Sequence, residues 1–303
     1  MSVRISAVVA TRNRASYLRK ALTSLVAQTL PQELYEIIVV DNASTDNTQE
    51  VVGEFSDRPN LRYCYEPIVG VSRARNTGWR NAQGAYIAFL DDDAVAYPDW
   101  LAKFLDTFET FVPSPGCLGG RCLPIWEAPR PDWLSDEMLS CFAIFHYADV
   151  PIILNARQWL TIGNAAYPSE LLQAAGGLRE DLGRKGNTLL GSADTYLRQQ
   201  LDSWGFCSVY HPEIVVGHHI PASRLTKSWS RQYWYWQGLS SAIIVNPADQ
   251  PLPFLRRAGL MLKRTGWALP RLALMLVATN PAARFKRQCQ VLEALGYVSG
   301  LCR

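Results

Sequence analysis

The feature that most constrains the fold is an apolar run, Gly84–Leu90, that ends directly in Asp91, Asp92 and Asp93. A short run with aromatic and branched residues predicts a buried strand. Because side chains alternate along a strand, we expect Asp91 and Asp93 to point one way and Asp92 the other. Ligands bind beyond the carboxyl ends of strands in open α/β sheets, and clustered carboxylates suit Mg²⁺ or Mn²⁺. The triplet therefore predicts a metal site, with a solvated acidic turn as the alternative.

Other stretches repeat the pattern of a buried strand followed by polar residues. Arg4–Ala10 leads into Thr11–Arg14, and a helix capped by Ser16 is expected next. Glu36–Val40 ends in Asp41 in the same way. Alternating strands and helices predict a parallel sheet with helices on both faces. A dinucleotide-binding Rossmann domain is disfavoured, because no GxGxxG follows the first strand and no Walker A loop occurs, so metal and arginine must neutralise any phosphates.

Composition narrows the class of protein. The chain has 303 residues, of which 48% are hydrophobic, and this is ample for a core. A net charge of +3 argues against nucleic acid as the main partner. Seven cysteines, an odd number without a CxxC pair, indicate reduced thiols and a cytoplasmic location. The first residues lack a signal-peptide pattern, and no apolar stretch reaches the ~18 residues of a membrane span.

The C-terminal region has a different character. Residues 223–247 look helical and are rich in Trp and Tyr, and from Pro251 onward Leu-rich patches alternate with basic pairs. This pattern favours an amphipathic segment on a membrane surface, which would place the protein on the inner face of the plasma membrane. Core packing against residues 223–247 is the alternative. We expect a domain at 1–222, with halves 1–123 and 124–222, and a helical region at 223–303.

The chain also resembles the family 2 glycosyltransferases over about residues 4–220. The resemblance is carried by stretches that occur in the family's order: Val8–Arg14, Ile38–Asp46, Arg73–Gly78, Leu90–Asp93 with Pro98–Leu101, and Gly163–Ala165 with Gly176–Leu178. It implies an α/β fold of the GT-A type, with a mostly parallel central sheet that binds a nucleotide sugar. It also implies inverting, metal-dependent transfer of a sugar to a hydroxyl group, in surface or exopolysaccharide synthesis.

The resemblance assigns roles to particular residues. The donor, a UDP-, GDP- or dTDP-sugar, is expected against seven residues: Thr11, Arg14, Asp41, Arg73, Asn76, Asp91 and Asp92. The metal, Mn²⁺ or Mg²⁺, is expected on Asp91, Asp93 and His218, with His219 as the alternative histidine. Asp194 is expected to be the general base that deprotonates the acceptor, a saccharide or lipid-linked saccharide.

One position departs from the family pattern. The segment is Gly191-Ser192-Ala193-Asp194, so Asp194 keeps the aspartate of the family's usual Gly-Glu-Asp and Ala193 stands where its Glu is common. Ala193 leaves open a non-catalytic module that binds a nucleotide sugar. A sugar-nucleotide pyrophosphorylase is the other alternative, although the Gly-rich phosphate loop of that class is absent. Incubation of the donor without acceptor separates an enzyme from the binding module, because an enzyme releases nucleotide slowly in the presence of metal and a binding module releases none.

Overall fold

The computed structural model describes residues 2–186 and 188–303. Its nine strands within these residues are β1 (Ile5–Thr11), β2 (Tyr35–Asp41), β3 (Leu61–Tyr65), β4 (Tyr86–Asp91), β5 (Ala94–Ala96), β6 (Cys117–Trp126), β7 (Ile152–Ile153), β8 (Asn164–Pro168) and β9 (Ser208–Ile220). Its nine α-helices there are α1 (Ala15–Val26), α2 (Thr48–Gly53), α3 (Val71–Arg80), α4 (Trp100–Thr110), α5 (Ser169–Ala175), α6 (Ala193–Ser203), α7 (Lys227–Val245), α8 (Phe254–Val277) and α9 (Pro281–Leu301).

A mixed sheet organises the N-terminal part of the chain. Its strand order is β3-β2-β1-β4-β8-β6-β9-β5, and β7 pairs with β9. β1 to β4 are parallel, β8 pairs antiparallel with both β4 and β6, and β5 and β7 pair antiparallel with β9. The expectation of an α/β fold with a mostly parallel centre and a helical C-terminal region is confirmed.

The central parallel strands β1, β2 and β4 form because most of their residues are apolar and buried on both faces. Every residue of β2 is buried, and the core continues through Leu18, Leu22 and Leu25 of α1. Gly78 brings α3 onto the sheet, because a Cβ at that position would lie within 3.0 Å of Val8. Ser16 does not cap α1 as expected. The backbone N–H of Ala15 instead donates to Asp46 Oδ2 at 3.2 Å, so the cap comes from the loop after β2.

The chain divides into two compact units. The first contains the chain up to Ile125, Ala143–Asp181 and Ala193–His219, and the second contains Trp126–Phe142, Leu182–Ser192 and Ile220–Arg303. Residues 126–142 include a 3₁₀ helix at Asp136–Phe142. They belong with the C-terminal helices because Phe142 stacks on Trp229 and the ring of Trp133 meets Phe285 edge-on. The division at 222 and 223 stays a prediction.

The helices of the second unit pack through glycine. A Cβ on Gly238 of α7 would lie within 3.0 Å of the carbonyl oxygen of Glu293 in α9. A Cβ on Gly296 of α9 would come equally close to the carbonyl oxygen of Tyr235 in α7. The two backbones therefore touch, as small residues permit at a close helix crossing. α8 packs against α9.

Candidate active site

The polar strand ends of the first unit lie at one edge of the sheet. The register pairs Thr11 with Asp41 and Ala10 with Asp91, so β1, β2 and β4 end level with one another. Parallel strands present their carboxyl ends at the same edge, which is where open α/β sheets bind ligands. Asp41 is buried there; it accepts hydrogen bonds from the backbone N–H of Ser44 and the hydroxyl of Tyr63, both at 2.9 Å.

Two of the three consecutive aspartates share an arginine. Arg14 Nη1 donates to Asp92 Oδ1 at 2.9 Å and to Asp93 Oδ2 at 2.8 Å. The hydroxyl of Thr11 donates to Asp92 Oδ2 at 2.9 Å. Thr11 and Arg14, which were expected to contact the donor, are therefore brought together with the aspartates. The expected alternation of the triplet is wrong, because β4 ends at Asp91 and the chain turns at the next residue.

The first aspartate has a separate partner. Arg75 Nη2 donates to Asp91 Oδ1 at 2.5 Å, and the Arg75 side chain is only 13% exposed. Gly163 makes room for this carboxylate, because a Cβ there would lie within 3.0 Å of Cγ and both oxygens of Asp91. The sequence assigned no particular role to Arg75. Its place in the Arg73–Gly78 stretch was the available signal, but helical spacing alone does not identify its partner.

Burial and charge set the protonation of the cluster. Burial raises the pKa of Asp92 to about 6; the Arg14 guanidinium opposes this shift and the charge of Asp93 adds to it. Burial alone would lower the pKa of Arg14, but Asp92 and Asp93 outweigh it and raise that pKa. At neutral pH Arg14 is therefore charged, and the pKa of about 6 leaves Asp92 mostly ionised.

The two histidines have different surroundings. β5 and β9 pair antiparallel with Ala94 opposite His218, and His218 Nε2 lies 3.5 Å from Asp93 Oδ1. The backbone N–H of His219 donates to the carbonyl oxygen of Asp93 at 2.8 Å, while its ring centroid lies 5.4 Å from that of Tyr17. Of the two side chains, it is therefore His218 that faces the carboxylate.

Asp194 lies in the first turn of α6. Its carboxylate accepts from the backbone N–H of Thr195 at 2.7 Å and, more weakly, from that of Ile162 at 3.4 Å. Burial raises the pKa of Asp194; the two hydrogen bonds and the charge of Arg75 oppose the shift, and the charge of Asp91 adds to it. Asp194 therefore shares an electrostatic environment with the Arg75–Asp91 pair.

Two expected donor ligands have other partners. Arg73 Nη1 donates to Glu180 Oε2 at 2.9 Å, and Arg73 Nε lies 3.4 Å from Glu66 Oε1. Asn76 is 1% exposed, and its amide donates to the carbonyl oxygen of Leu178 at 2.8 Å while accepting from the Leu178 N–H at 2.9 Å. The structure does not bring Asn76 to the aspartates, because its amide joins α3 to the segment after α5. The donor contact of Arg73, whose side chain is 39% exposed, stays a prediction.

The expected set of three metal ligands is not assembled. Within residues 2–186 and 188–303, no group of three or more His, Cys, Asp or Glu residues is arranged to hold a metal ion. The reason is that Asp91 is paired with Arg75, which leaves Asp93 and His218 as neighbours.

A family model matches the part of the chain that builds this edge. Residues 6–115 match the model described as Glycosyl transferase family 2. Over 250 residues the chain is 25% identical to the glucosyl-dolichyl phosphate glucuronosyltransferase of Haloferax volcanii, covering 80% of this chain and 77% of that protein. Glycosyltransferase AglE of the same organism is 37% identical over 105 residues, which is 34% of each chain.

Solved structures share the architecture. The mannosyltransferase PcManGT from Pyrobaculum calidifontis, in complex with GDP-Man and Mn²⁺, aligns with a TM-score of 0.67 at 22% identity, covering 99% of this chain and 88% of that one. TarS 1-349 of S. aureus, in complex with UDP-GlcNAc, aligns with a TM-score of 0.52 at 17% identity, covering 82% and 68%. Residues 6–115 are therefore similar to the family 2 glycosyltransferases, and the protein is a glycosyltransferase of the nucleotide-sugar-dependent class.

Proposed function

We propose that the protein is a metal-dependent, inverting glycosyltransferase that moves a sugar from a nucleotide diphosphate sugar to a hydroxyl group of a saccharide or lipid-linked saccharide. The proposed setting is the synthesis of surface or exopolysaccharide. The observation that carries the proposal is the approach of His218 Nε2 to 3.5 Å from Asp93 Oδ1 at the carboxyl edge of the sheet.

The donor set fits a divalent cation. Two ligand atoms 3.5 Å apart can both contact one ion at the ~2.0–2.2 Å typical of Mn²⁺ or Mg²⁺. Such ions are commonly held by one or two protein side chains together with substrate phosphates, so a third protein ligand is not required. Asp93 and His218 would hold the ion, and it would neutralise charge on the departing diphosphate.

The local charge favours the same conclusion. Asp91, Asp92, Asp93 and Asp194 carry four negative charges when ionised, and Arg14 and Arg75 carry two positive ones. The excess of two negative charges matches one divalent cation. Because a pyrophosphate adds further negative charge, we propose that Arg14 and Arg75 keep the carboxylates ionised and fixed in place, and that the cation receives the phosphates.

Asp194 is the proposed general base. A single displacement by the acceptor hydroxyl inverts the anomeric carbon and needs one base, with no enzyme nucleophile. The raised pKa of Asp194 makes its carboxylate more basic than an exposed aspartate, and its position beside Arg75 keeps it in the charge network. Thr11, Arg14, Asp41 and Asp92 remain the proposed contacts of the nucleotide and ribose.

The nucleotide sugar that the protein uses can be identified by how much each candidate stabilises the folded protein. PcManGT was solved with GDP-Man and TarS with UDP-GlcNAc, so UDP-, GDP- and dTDP-sugars are all proper probes. With Mn²⁺ present, the correct donor at 100 times its Kd should stabilise the protein by about 2.7 kcal/mol. Slow release of nucleotide without acceptor would then exclude a module that only binds.

The metal assignment is tested by titrating Mn²⁺ into the wild type and two adjacent histidine variants. We expect His218→Gln to weaken Mn²⁺ binding by at least about tenfold and Asp93→Asn to abolish turnover. His219→Gln is the matched control, because His219 is equally buried but its ring lies against Tyr17. Full turnover in a chelator, or loss of Mn²⁺ with His219→Gln alone, would contradict the assignment.

A further inference from the structure

α8 is the most exposed helix of the second unit. None of its 24 residues, all of which the structure describes, is buried. It packs against α9, and its opposite face has no covering element among the described residues. A helix of this length in a folded domain normally buries one face, so the composition of the outward face becomes informative.

The outward face of α8 is apolar. Leu255, Leu262, Leu269 and Leu276 recur every seven residues and are 83%, 75%, 59% and 68% exposed. Residues seven apart lie almost on one line along a helix, so these leucines form a stripe about 30 Å long. Phe254, Leu272 and Val277 are also exposed and lie beside it. Contiguous apolar surface of this extent marks an interaction site.

The charge of α8 has one sign. The helix contains five basic residues, Arg256, Arg257, Lys263, Arg264 and Arg271, and no acidic residue. Three of them contact the helical unit itself: Arg257 the carbonyl of Leu301, Arg264 the carboxylate of Glu293, and Arg271 the carbonyl of Trp267. The other two, Arg256 and Lys263, are exposed and each follows a stripe leucine, so they border the apolar face.

The exposed leucine stripe and the positive charge of α8 together indicate which partner binds this face. A second copy of α8 would meet a helix of the same positive sign with no acid to pair, whereas paired helices use complementary flanking charges. An anionic lipid surface offers both an apolar layer for the leucines and phosphates for the bordering cations. Among the described residues no helix has the length and hydropathy needed to cross a bilayer, so α8 is suited to lie along a surface.

We propose that α8 docks on an anionic membrane surface, with the leucine stripe at the acyl boundary and Arg256 and Lys263 at the lipid phosphates. The inference rests on the second unit alone and holds whether or not the proposed transfer reaction is correct. It agrees with a lipid-linked acceptor but does not depend on one.

The test is flotation of the full chain with vesicles of phosphatidylcholine, with or without phosphatidylglycerol. We expect binding to the anionic vesicles and much weaker binding to pure phosphatidylcholine. Leu262→Glu with Leu269→Glu should weaken binding by at least about tenfold, because two leucines no longer enter the apolar layer. Arg256→Glu with Lys263→Glu should weaken it by a similar factor and reduce its salt dependence.

The matched control is Leu295→Glu on α9. Leu295 is 55% exposed, close to the 59% of Leu269, but it is not part of the leucine stripe. It should float like the wild type. All substituted side chains are exposed, and an unchanged melting temperature verifies the fold of each variant. If the wild type does not float, or if Leu295→Glu weakens flotation as much as the stripe variant, the proposal is overturned. Concentration-dependent dimerisation that the stripe variant abolishes, without vesicle binding, would assign the face to a second copy and also overturn it.

Discussion

Replacing Gly163 by alanine should impair the candidate active site, because the added methyl group would displace the Asp91 carboxylate. The added Cβ would lie within 3.0 Å of Cγ and both oxygens of Asp91, whereas 3.4 Å or more is an ordinary contact. The carboxylate cannot easily move aside, because Arg75 holds it at 2.5 Å and the Asp91 N–H is bonded to the Gly163 carbonyl at 3.4 Å. A displacement of about 1 Å is therefore forced on either the side chain or the β4–β8 contact.

Two magnitudes follow from this displacement. Overpacking of a filled site costs about 1–3 kcal/mol of folding free energy, which for a chain of this size lowers the melting temperature by roughly 2–10 °C. A misplacement of about 1 Å in a catalytic constellation can reduce turnover by about 10²-fold. We expect both effects, and the loss of turnover should exceed what the remaining folded fraction explains.

The assay compares sugar transfer, donor binding and melting of Gly163→Ala with those of Gly53→Ala. Gly53 lies in α2 of the same unit, and a Cβ there would meet nothing within 4 Å, so this control should behave like the wild type. Wild-type transfer and melting by Gly163→Ala would refute the steric argument. Normal transfer with lowered melting would show that Asp91 supports the fold without serving the reaction.

Two further predictions concern Asp194 and Asn76. Asp194→Asn should keep donor binding and lose transfer by about 10²–10⁴-fold, and wild-type transfer should fall as the pH drops through the raised pKa of Asp194; transfer rates across pH check both. Because the pKa of Asp194 is higher in the folded state than in the unfolded state, ionising this carboxyl at neutral pH destabilises the fold. We therefore expect Asp194→Asn to be at least as stable as the wild type in thermal melting at neutral pH. Asn76→Ala should destabilise the fold by about 1–3 kcal/mol, since it strands the Leu178 N–H and carbonyl, with little change in donor Kd; denaturant unfolding and calorimetry test this.

The ends of the strands could be predicted from the sequence because they depend on residues that are adjacent in the chain. The apolar runs before Asp41 and Asp91 end where a buried strand must end, and the structure ends β2 and β4 at those residues. The break at Asp92 was missed because periodicity cannot show where a chain leaves the sheet. The cap of α1 by Asp46 was missed for a related reason, since it joins residues 31 positions apart.

The partners within the site could not be derived from spacing. Arg73 and Arg75 lie two positions apart on α3, so they point to opposite sides of the helix, and only the fold shows that Arg75 meets Asp91. The approach of His218 to Asp93 spans 125 residues, and only the family resemblance suggested it. Asn76 shows a further limit of motif reasoning: its amide bonds to Leu178, which the motif did not indicate, and its donor contact stays a prediction.

The close crossing of α7 and α9 has a consequence for how such proteins diversify. Because Gly238 and Gly296 place backbone against backbone, the pairing depends on two absent side chains and little on what the rest of each helix displays. Side chains on the outward surface of the attached α8 can then change without disturbing this joint. An evolving lineage could therefore exchange one external surface for another on a constant scaffold, while either glycine, once replaced, would force the helices apart.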